Sequence, residues 1–287
     1  MARHGMPPGD SGGIAAITLS TEGSLVGARI AEALPDCELY VHSTANCELP
    51  CHHFDRVIAL TTDLFAKYMG LVYIMPAGVV VRAIAPHLQH KLKDPAVVVL
   101  DVGARWAVSL LSGHEGGANE LAIRVANLVG AEPVVSTTTD ALKDLIVGVG
   151  CRRGAPAKDI TGAVRAVLAD HHLPEERVRY LASVDLKANE PGLLKAATDL
   201  RIPLRLVAAD EILATPRTDF KTFATPSKRV GLPGVAEPTA LLAGRRTRLF
   251  IPRQIINSVT VAVAQEHLPW SESAPAAANT GPDKQKQ

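Results

Sequence analysis

Residues 109–130 read SLLSGHEGGANELAIRVANLVG, and this stretch decides the fold. An apolar run ends before Ser112, a turn with three glycines follows, and apolar residues then recur at helical spacing over residues 117–129. Gly130 is expected to end the helix, because glycine adopts the left-handed conformation of a helix C-terminus at little cost. A strand that leads into a helix is the unit from which helix-covered parallel sheets are built.

The same alternation of strand and helix continues on both sides of this stretch. Apolar runs predict strands at residues 14–19, 71–75, 96–100 and 134–135, and a second series at residues 145–149, 178–184, 204–207 and 260–263. Amphipathic segments predict further helices at residues 22–34, 157–169 and 190–200. The sequence therefore predicts an α/β fold of two domains, each a mostly parallel sheet flanked by helices.

The series of predicted elements restarts at Asp144, and we divide the chain into four parts. Residues 1–13 are polar and glycine-rich, so we expect a flexible N-terminus without the apolar core of a signal peptide. Residues 14–143 form a predicted N-terminal α/β domain that contains the glycine-rich turn, and residues 144–270 form a predicted C-terminal α/β domain. Residues 271–287 lack periodic apolar positions and predict a disordered tail.

Composition limits the possible partners of the chain. The formal net charge is +1 and aromatic residues make up 4% of the chain, so neither a basic field nor a stacking surface indicates nucleic acid. The longest apolar stretch, residues 71–81, is interrupted by Pro76 and Gly78 and is shorter than the roughly 20 residues of a membrane span. Four cysteines without a disulfide framework fit a reducing compartment. We therefore expect a cytoplasmic protein that binds neither nucleic acid nor a membrane.

The turn at residues 112–117 has the features of a site for a negatively charged group. Such a turn exposes backbone N–H groups beside the positive end of the helix dipole, where a carboxylate or an oxyanion is stabilised. His114 lies among the glycines, where a histidine is available as a general base or acid. The alternative is that the glycines only permit close packing of the strand against the helix.

Two other motifs suggest chemistry that the rest of the chain does not support. Residues 9–13 read GDSGG, as around the nucleophile of trypsin-like proteases, but only His4 precedes them, and that chemistry needs a histidine and an aspartate from earlier strands. Residues 47–53 contain two cysteines and two histidines in one loop. No second pair follows at zinc-finger spacing, so we predict no metal site.

A third motif resembles a dinucleotide fingerprint. Gly148 and Gly150 follow a predicted strand, but Arg153 stands where the third glycine of the fingerprint falls. Asp170, at the right distance to contact a ribose, ends a predicted helix rather than a second strand. A helix N-terminus that binds an anion is the better interpretation of these residues.

Residues 73–140 contain four motifs: MPAGVVVRAIAP at residues 75–86, KLKDPAVVV at 91–99, SLLSGHEGGANE at 109–120 and TTTD at 137–140. Together these motifs resemble the signature of the cobalt-precorrin-5A hydrolases of anaerobic cobalamin biosynthesis. The second half is similar through GVGCRRG at residues 148–154, SVDLKANE at 183–190 and GVAEPTALL at 234–242. The resemblance extends from about residue 14 to residue 265.

The chain departs from the family pattern in three places. Many members carry a further segment between the Thr-Thr turn and the C-terminal domain, whereas Asp140 is followed almost at once by the strand at residues 145–149. The position after His114, often apolar in the family, is Glu115. An Asp-Glu pair that often follows the valine-rich strand is Asp101-Val102 here, so one acid of the family is absent.

The resemblance implies that the chain hydrolyses cobalt-precorrin-5A by opening a ring-A lactone and releasing acetaldehyde. Opening a lactone needs a base for water, donors for the oxyanion and an acid for the leaving oxygen. The candidate catalytic residues are His114, as the base, Asp101, which orients the histidine or takes part directly, and Asn119. We expect one substrate site at the interface of the two halves, between His114 and Arg152. The candidate substrate-binding residues are Arg82, Lys91, Ser112, Gly113, Gly116, Gly117, Gly150, Arg152, Arg153, Lys187 and Glu190.

The expected substrate is a cobalt-corrinoid with many carboxylates, so fixed cations should line its site. Cobalt then enters with the substrate, and we expect no cofactor and no metal ligated by the protein. Other enzymes of the pathway are possible partners. The first alternative function is a non-catalytic protein that binds and transfers a corrinoid intermediate, and the second is a nicotinamide-dependent reductase. Release of acetaldehyde separates the hydrolase from the transfer protein, and nicotinamide binding separates it from the reductase.

Overall fold

The computed structural model describes residues 12–215, 232 and 234–268 and contains two β-sheets, each flanked by helices. The predicted α/β fold of two mostly parallel, helix-covered sheets is confirmed. The described residues change from the first sheet to the second between Ala141 and Leu145. Most of the predicted flexible N-terminus and the whole predicted tail at 271–287 lie outside the described residues.

The N-terminal sheet has seven strands in the order β3-β2-β1-β4-β5-β6-β7. Its strands are β1 (Ile14–Thr18), β2 (Cys37–His42), β3 (His52–Phe54), β4 (Gly70–Ile74), β5 (Ala96–Leu100), β6 (Trp106–Leu111) and β7 (Glu132–Val134). Its helices are α1 (Thr21–Ala33), α2 (Val57–Leu64), α3 (Ala77–Ile84), α4 (Ala118–Val129) and α5 (Thr138–Ala141). Two of these strands, β2 and β3, were not predicted, because their exposed polar residues interrupt the apolar pattern.

Strand β6 runs antiparallel to β5. The chain therefore leaves β6 at the opposite edge of the sheet from the one at which it leaves β5. Leu100 pairs with Ala107 and Val97 with Leu111. Whatever follows β6 therefore lies at the amino-terminal edge of the parallel strands, whereas the residues after β5 lie at the carboxyl-terminal edge. Helix α4 begins at the first edge, and Gly130 ends it with a φ of 75°, as predicted.

Both faces of the N-terminal sheet are covered. On one face, Ile30 of α1 and Val125 of α4 pack against buried residues of β4 and β5 such as Val72 and Val98. On the other face, Leu64 of α2 and Val80 of α3 belong to a second apolar cluster. Burial on both faces explains the continuous β-branched runs of the central strands.

The C-terminal sheet has five strands in the order β10-β9-β8-β12-β11. Its strands are β8 (Leu145–Gly150), β9 (Val178–Val184), β10 (Leu204–Val207), β11 (Thr247–Ile256) and β12 (Val259–Glu266). Its helices are α6 (Ala157–Asp170), α7 (Pro191–Leu200), α8 (Ala209–Ala214) and α9 (Ala236–Leu242). Strands β8, β9 and β10 are parallel, whereas β12 is antiparallel to both β8 and β11.

Helix α4 joins the two domains. Its Asn127 donates to the carbonyl of Leu204 at 2.7 Å and accepts from the N–H of Leu206 at 2.9 Å and from Arg205 at 3.1 Å. Its Ile123 is buried in the same apolar cluster as Ile146 of β8. The helix that carries the glycine-rich turn is thus packed on the C-terminal sheet as well as on its own.

Candidate active site

Ser112 marks the point where the chain leaves β6, and its backbone is in the left-handed region with a φ of 59°. This conformation costs a non-glycine residue free energy and occurs preferentially at functional sites. Its carbonyl accepts hydrogen bonds from the N–H groups of Gly116 at 3.1 Å and Ala118 at 3.2 Å, which close the turn. The Ser112 hydroxyl is buried without a hydrogen-bond partner among the described residues.

The glycines of the turn are required by close approaches as well as by conformation. A Cβ at Gly113 would lie 2.7 Å from Cγ2 of Thr137 and 2.8 Å from Oδ1 of Asn119. A Cβ at Gly116 would overlap the side chain of Ser112. Gly117 has a φ of 86° immediately before α4. Gly116 and Gly117 also border a cavity of about 20 Å³, which is large enough for roughly one water molecule.

Asn119, in the first turn of α4, is the centre of a buried hydrogen-bond network. Its Oδ1 accepts from Ser109 at 2.7 Å, and its Nδ2 donates to Thr137 and to Asp140, both at 2.9 Å. Lys143 pairs with Asp140 at 2.9 Å. Both ends of the Asn119 amide are occupied by protein groups, so in this structure the side chain holds the turn in position.

Asp140 is held as an anion by this network. Burial raises the pKa of its carboxyl, but the hydrogen bonds from Lys143, Thr137 and Asn119 outweigh that cost and leave the pKa below its ordinary value. Thr137 donates to Asp140 at 2.8 Å, so the carboxylate ties α5 to the first turn of α4. The sequence analysis had noted the TTTD motif without assigning functions to Asp140 or Lys143.

His114 is exposed at the tip of the turn, and its ring has no hydrogen-bond partner among the described residues. Beside it, Glu115 pairs with Lys91 at 2.5 Å, and the hydrogen bond from Lys91 lowers the pKa of the Glu115 carboxyl. In the described part of the chain, the N–H groups of Gly113, His114 and Gly117 donate to no protein acceptor. The turn thus presents an imidazole together with free backbone donors.

Asp101 lies at the opposite edge of the sheet from His114. It follows β5, and the length of that strand, about 16 Å at 3.3 Å per residue, separates it from the end of β6. Its carboxylate accepts from the N–H groups of Arg105 at 2.9 Å and Trp106 at 3.0 Å. The interpretation of Asp101 as a group that orients His114 is wrong, because antiparallel β6 carries the turn away from it.

Arg82 is an exposed residue of α3, and its Nη1 donates to the carbonyl of Gly78 at 2.9 Å. The structure brings seven predicted site residues together at the amino-terminal edge: Lys91, Ser112, Gly113, His114, Gly116, Gly117 and Asn119. Asp101, at the opposite edge, is not among them.

Five predicted substrate-binding residues lie at the carboxyl-terminal edge of the C-terminal sheet. Buried Glu190 accepts from the N–H of Gly154 at 2.8 Å and pairs with Lys187 at 3.5 Å, so it braces the loop after β8. A Cβ at Gly150 would overlap Thr260. The remaining two residues are Arg152 and Arg153, which are exposed and without a side-chain partner in the described part of the chain.

The site that we predicted between His114 and Arg152 is not formed in this structure. The Asp140 network, which holds the His114 turn, leads through Lys143 to the start of β8, whereas Arg152 follows the end of that strand. Six residues of β8, about 20 Å, separate the two ends. The loop after β8 is therefore a separate feature of the C-terminal domain.

Comparisons with known proteins place both domains in one family. Residues 59–140 match the family model "Cobalamin synthesis G N-terminal", and residues 145–264 match "Cobalamin synthesis G C-terminus". The chain belongs to the cobalamin synthesis G family. The boundary between the two matched regions, residues 141–144, coincides with the change from the first sheet to the second.

Three curated relatives of this cobalamin synthesis G protein cover different shares of it. The cobalt-precorrin-5A hydrolase of Priestia megaterium is 25% identical over 71% of this chain and 80% of its own length. The cobalt-precorrin-5A hydrolase of Salmonella typhimurium is 26% identical over 66% of this chain and 80% of its own. Protein CobE of Sinorhizobium is 33% identical over 44% of this chain and 83% of its own.

The structure of this family member shows the surroundings of two motifs, the cysteine and histidine loop at residues 47–53 and the glycines of β8. Within the described residues, no three His, Cys, Asp or Glu side chains are arranged to hold a metal ion. A Cβ at Gly148 would lie 2.8 Å from the carbonyl carbon of Ala236, so this glycine lets α9 pack closely on β8. Among the described helices, none combines the length and the hydropathy that crossing a membrane requires.

Proposed function

We propose that this protein is a hydrolase that opens the ring-A lactone of cobalt-precorrin-5A and releases acetaldehyde. The observation that carries the proposal is that both domains match one family, two curated members of which bear the name cobalt-precorrin-5A hydrolase and are covered over 80% of their length. The geometry of the His114 turn supports the proposal, because it offers a titratable base and free backbone donors at one point.

In the proposed reaction, His114 removes a proton from a water molecule as the water oxygen attacks the lactone carbonyl carbon. The negative charge that develops on the carbonyl oxygen is stabilised by the N–H groups of the turn, beside the N-terminus of α4. The acyl–oxygen bond then breaks, which leaves a carboxylate and an alcohol. The C–C bond between the macrocycle and the carbon that bears this alcohol then breaks: the hydroxyl loses its proton as the carbonyl of acetaldehyde forms, and the electron pair of the broken bond stays with the macrocycle, which takes up a proton.

The residues behind the turn hold it in the reactive conformation. Asn119 and Asp140 fix the start of α4 relative to α5, and Gly113 packs against both Asn119 and Thr137. A displacement of about 1 Å in such a turn is expected to reduce the rate strongly, because the attacking and stabilising groups must be aligned. Cobalt belongs to the substrate in this proposal, and the protein acts in the cytoplasm.

The proposal is tested by incubating the purified full-length protein with cobalt-precorrin-5A and assaying acetaldehyde with alcohol dehydrogenase and NADH. We expect acetaldehyde to form in proportion to the substrate consumed, and His114→Ala to abolish nearly all of it. Saturable binding of the corrinoid without acetaldehyde would instead identify a transfer protein. Tight binding of NADH or NADPH in a parallel titration would favour a reductase.

A further inference from the structure

A cavity of about 270 Å³ lies at the amino-terminal edge of the C-terminal sheet. The residues that line it are Arg179, Arg245, Arg246, Glu266, His267 and Leu268. Glu266, at the end of β12, is buried and accepts two hydrogen bonds from Nη1 of Arg179 at 3.0 and 2.7 Å. The N–H of Arg245 donates to the same carboxylate at 2.7 Å. The Arg179–Glu266 ion pair thus forms one wall of the cavity and carries no net charge.

The rim of this cavity carries positive charge that the described residues do not neutralise. The guanidinium groups of Arg245 and Arg246 have no hydrogen-bond or ion-pair partner among residues 12–215, 232 and 234–268. Arg246 has a left-handed φ of 52°, so the chain holds this arginine at a conformational cost. Paired guanidinium groups at the mouth of a cavity are suited to bind carboxylates through charge-assisted hydrogen bonds.

A series of contacts joins the cavity to the His114 turn. Lys143 pairs with Asp140 of the network behind that turn, and the next residue, Asp144, is one Cα–Cα step of about 3.8 Å away. The carbonyl of Asp144 accepts from the N–H of Glu266 at 2.8 Å, and its side chain accepts from Gln265 at 2.8 Å. The linker between the domains therefore connects the network behind the turn to the wall of the cavity.

The cavity also lies on the face of the C-terminal sheet that α4 covers. Gly244 packs against Ile146 and against Glu266, where an added Cβ would lie 2.7 Å from Oε1 of Glu266. Ile146 and Ile123 of α4 share one apolar cluster. Arg152 and Arg153, by contrast, are at the far end of β8 from the linker.

We propose that this cavity binds carboxylate groups of the corrinoid on which His114 acts, with Arg245 and Arg246 as the groups that contact them. The proposal rests on the proposed function for the identity of the substrate. It assigns the carboxylate contacts to the amino-terminal edge of the C-terminal sheet, the edge that follows Lys143 and the Asp140 network. In this proposal Arg245 and Arg246 bind the substrate carboxylates, a function that the sequence had suggested for Arg152 and Arg153.

The test compares two matched pairs of substitutions in the full-length protein, Arg245→Gln with Arg246→Gln and Arg152→Gln with Arg153→Gln. Each removes two adjacent exposed charges and leaves a polar, hydrogen-bonding side chain at both positions. Titration calorimetry with tricarballylate at low ionic strength measures carboxylate binding, and the absorbance of cobalt-precorrin-5A measures corrinoid binding. The acetaldehyde assay then gives KM and kcat.

We expect the Arg245/Arg246 pair to weaken tricarballylate and corrinoid binding at least tenfold and to raise KM with kcat nearly unchanged, while the Arg152/Arg153 pair changes neither. Loss of tricarballylate binding with an unchanged corrinoid affinity would overturn the proposal, as would equal effects of both pairs. If the wild-type protein binds the corrinoid through Arg245 and Arg246 but releases no acetaldehyde, the hydrolase assignment fails and the carboxylate site stands.

Discussion

At the level of single residues, His114 and Asp101 differ in their surroundings. Both were candidates because each follows a predicted strand, but the sequence does not show whether a strand runs parallel or antiparallel to its neighbour. The structure leaves His114 exposed among unpaired N–H groups, whereas the Asp101 carboxylate is occupied by the turn that joins β5 to β6. The two residues should therefore respond differently to substitution.

His114→Ala should lower kcat by about 10²–10⁴ without lowering the midpoint of urea unfolding, because the exposed ring contributes no hydrogen bond to the described structure. His114→Gln should recover little activity, since an amide cannot take a proton from water. Glu115→Gln, the neighbouring control, should leave kcat nearly unchanged. A raised KM with normal kcat in His114→Ala would mean that the ring only binds substrate.

Asp101→Ala should act on stability rather than on catalysis. The substitution leaves the N–H groups of Arg105 and Trp106 without their acceptor, which should cost about 1–2 kcal/mol in this partly exposed turn. Urea unfolding measures that loss, and kcat per folded molecule should stay at the wild-type value. A large fall in kcat with unaltered stability would return Asp101 to the catalytic set.

At the scale of elements, the sequence predicted the strand-turn-helix unit but not the contacts behind it. Strand β5, helix α4 and the C-cap Gly130 follow from apolar periodicity and from the conformation of glycine. The bonds from Asn119 to Thr137 and Asp140 join residues 18 and 21 positions apart, and no local pattern specifies such pairs. In the sequence, only the TTTD motif at residues 137–140 indicates these contacts, because it is a cluster of polar residues at the end of the N-terminal domain.

Asp140→Asn should destabilise the junction of α4 and α5 by about 1–3 kcal/mol at neutral pH, because it removes the charge that Lys143, Thr137 and Asn119 stabilise. The pKa of Asp140 is lowered in the folded state, so its contribution is full above the unfolded value of about 3.9 and is lost as pH falls through the folded value. Urea unfolding should thus show a wild-type advantage at pH 7 that shrinks below about pH 4. Asp199→Asn, in an exposed pair with Lys195, is the control and should change stability little. An advantage that grows on acidification would contradict this assignment.

At the scale of the whole molecule, helix α4 is the element that makes the two domains one unit. The sequence predicted two α/β halves, since the strand and helix pattern restarts at Asp144. It did not predict that Asn127 reaches β10, because that contact spans 77 residues. It also placed substrate cations at Arg152 and Arg153 from a local glycine-rich loop, whereas the structure shows a second arginine pair, Arg245 and Arg246, at a cavity whose Glu266 is bonded to the linker.

Asn127→Ala should uncouple the domains. Its side chain makes three hydrogen bonds to β10, and their loss leaves the N–H of Leu206 and the carbonyl of Leu204 unpaired. We expect calorimetric unfolding to become less cooperative and KM for the corrinoid to rise, because the arginine cavity and the His114 turn no longer keep a fixed separation. Asn189→Ala, in the loop before α7, is a matched control. Unfolding identical to the wild type would show that α4 does not couple the domains.

The central claim is that water attacks a lactone carbonyl at the His114 turn, and a single-turnover reaction in H₂¹⁸O tests it most directly. With the protein in excess over cobalt-precorrin-5A, mass spectrometry of the corrinoid product should show one ¹⁸O atom in the newly freed carboxylate, together with one acetaldehyde per substrate. His114→Ala should yield neither within the same time. A bound corrinoid that keeps its mass, or acetaldehyde release without ¹⁸O in the carboxylate, would contradict the account.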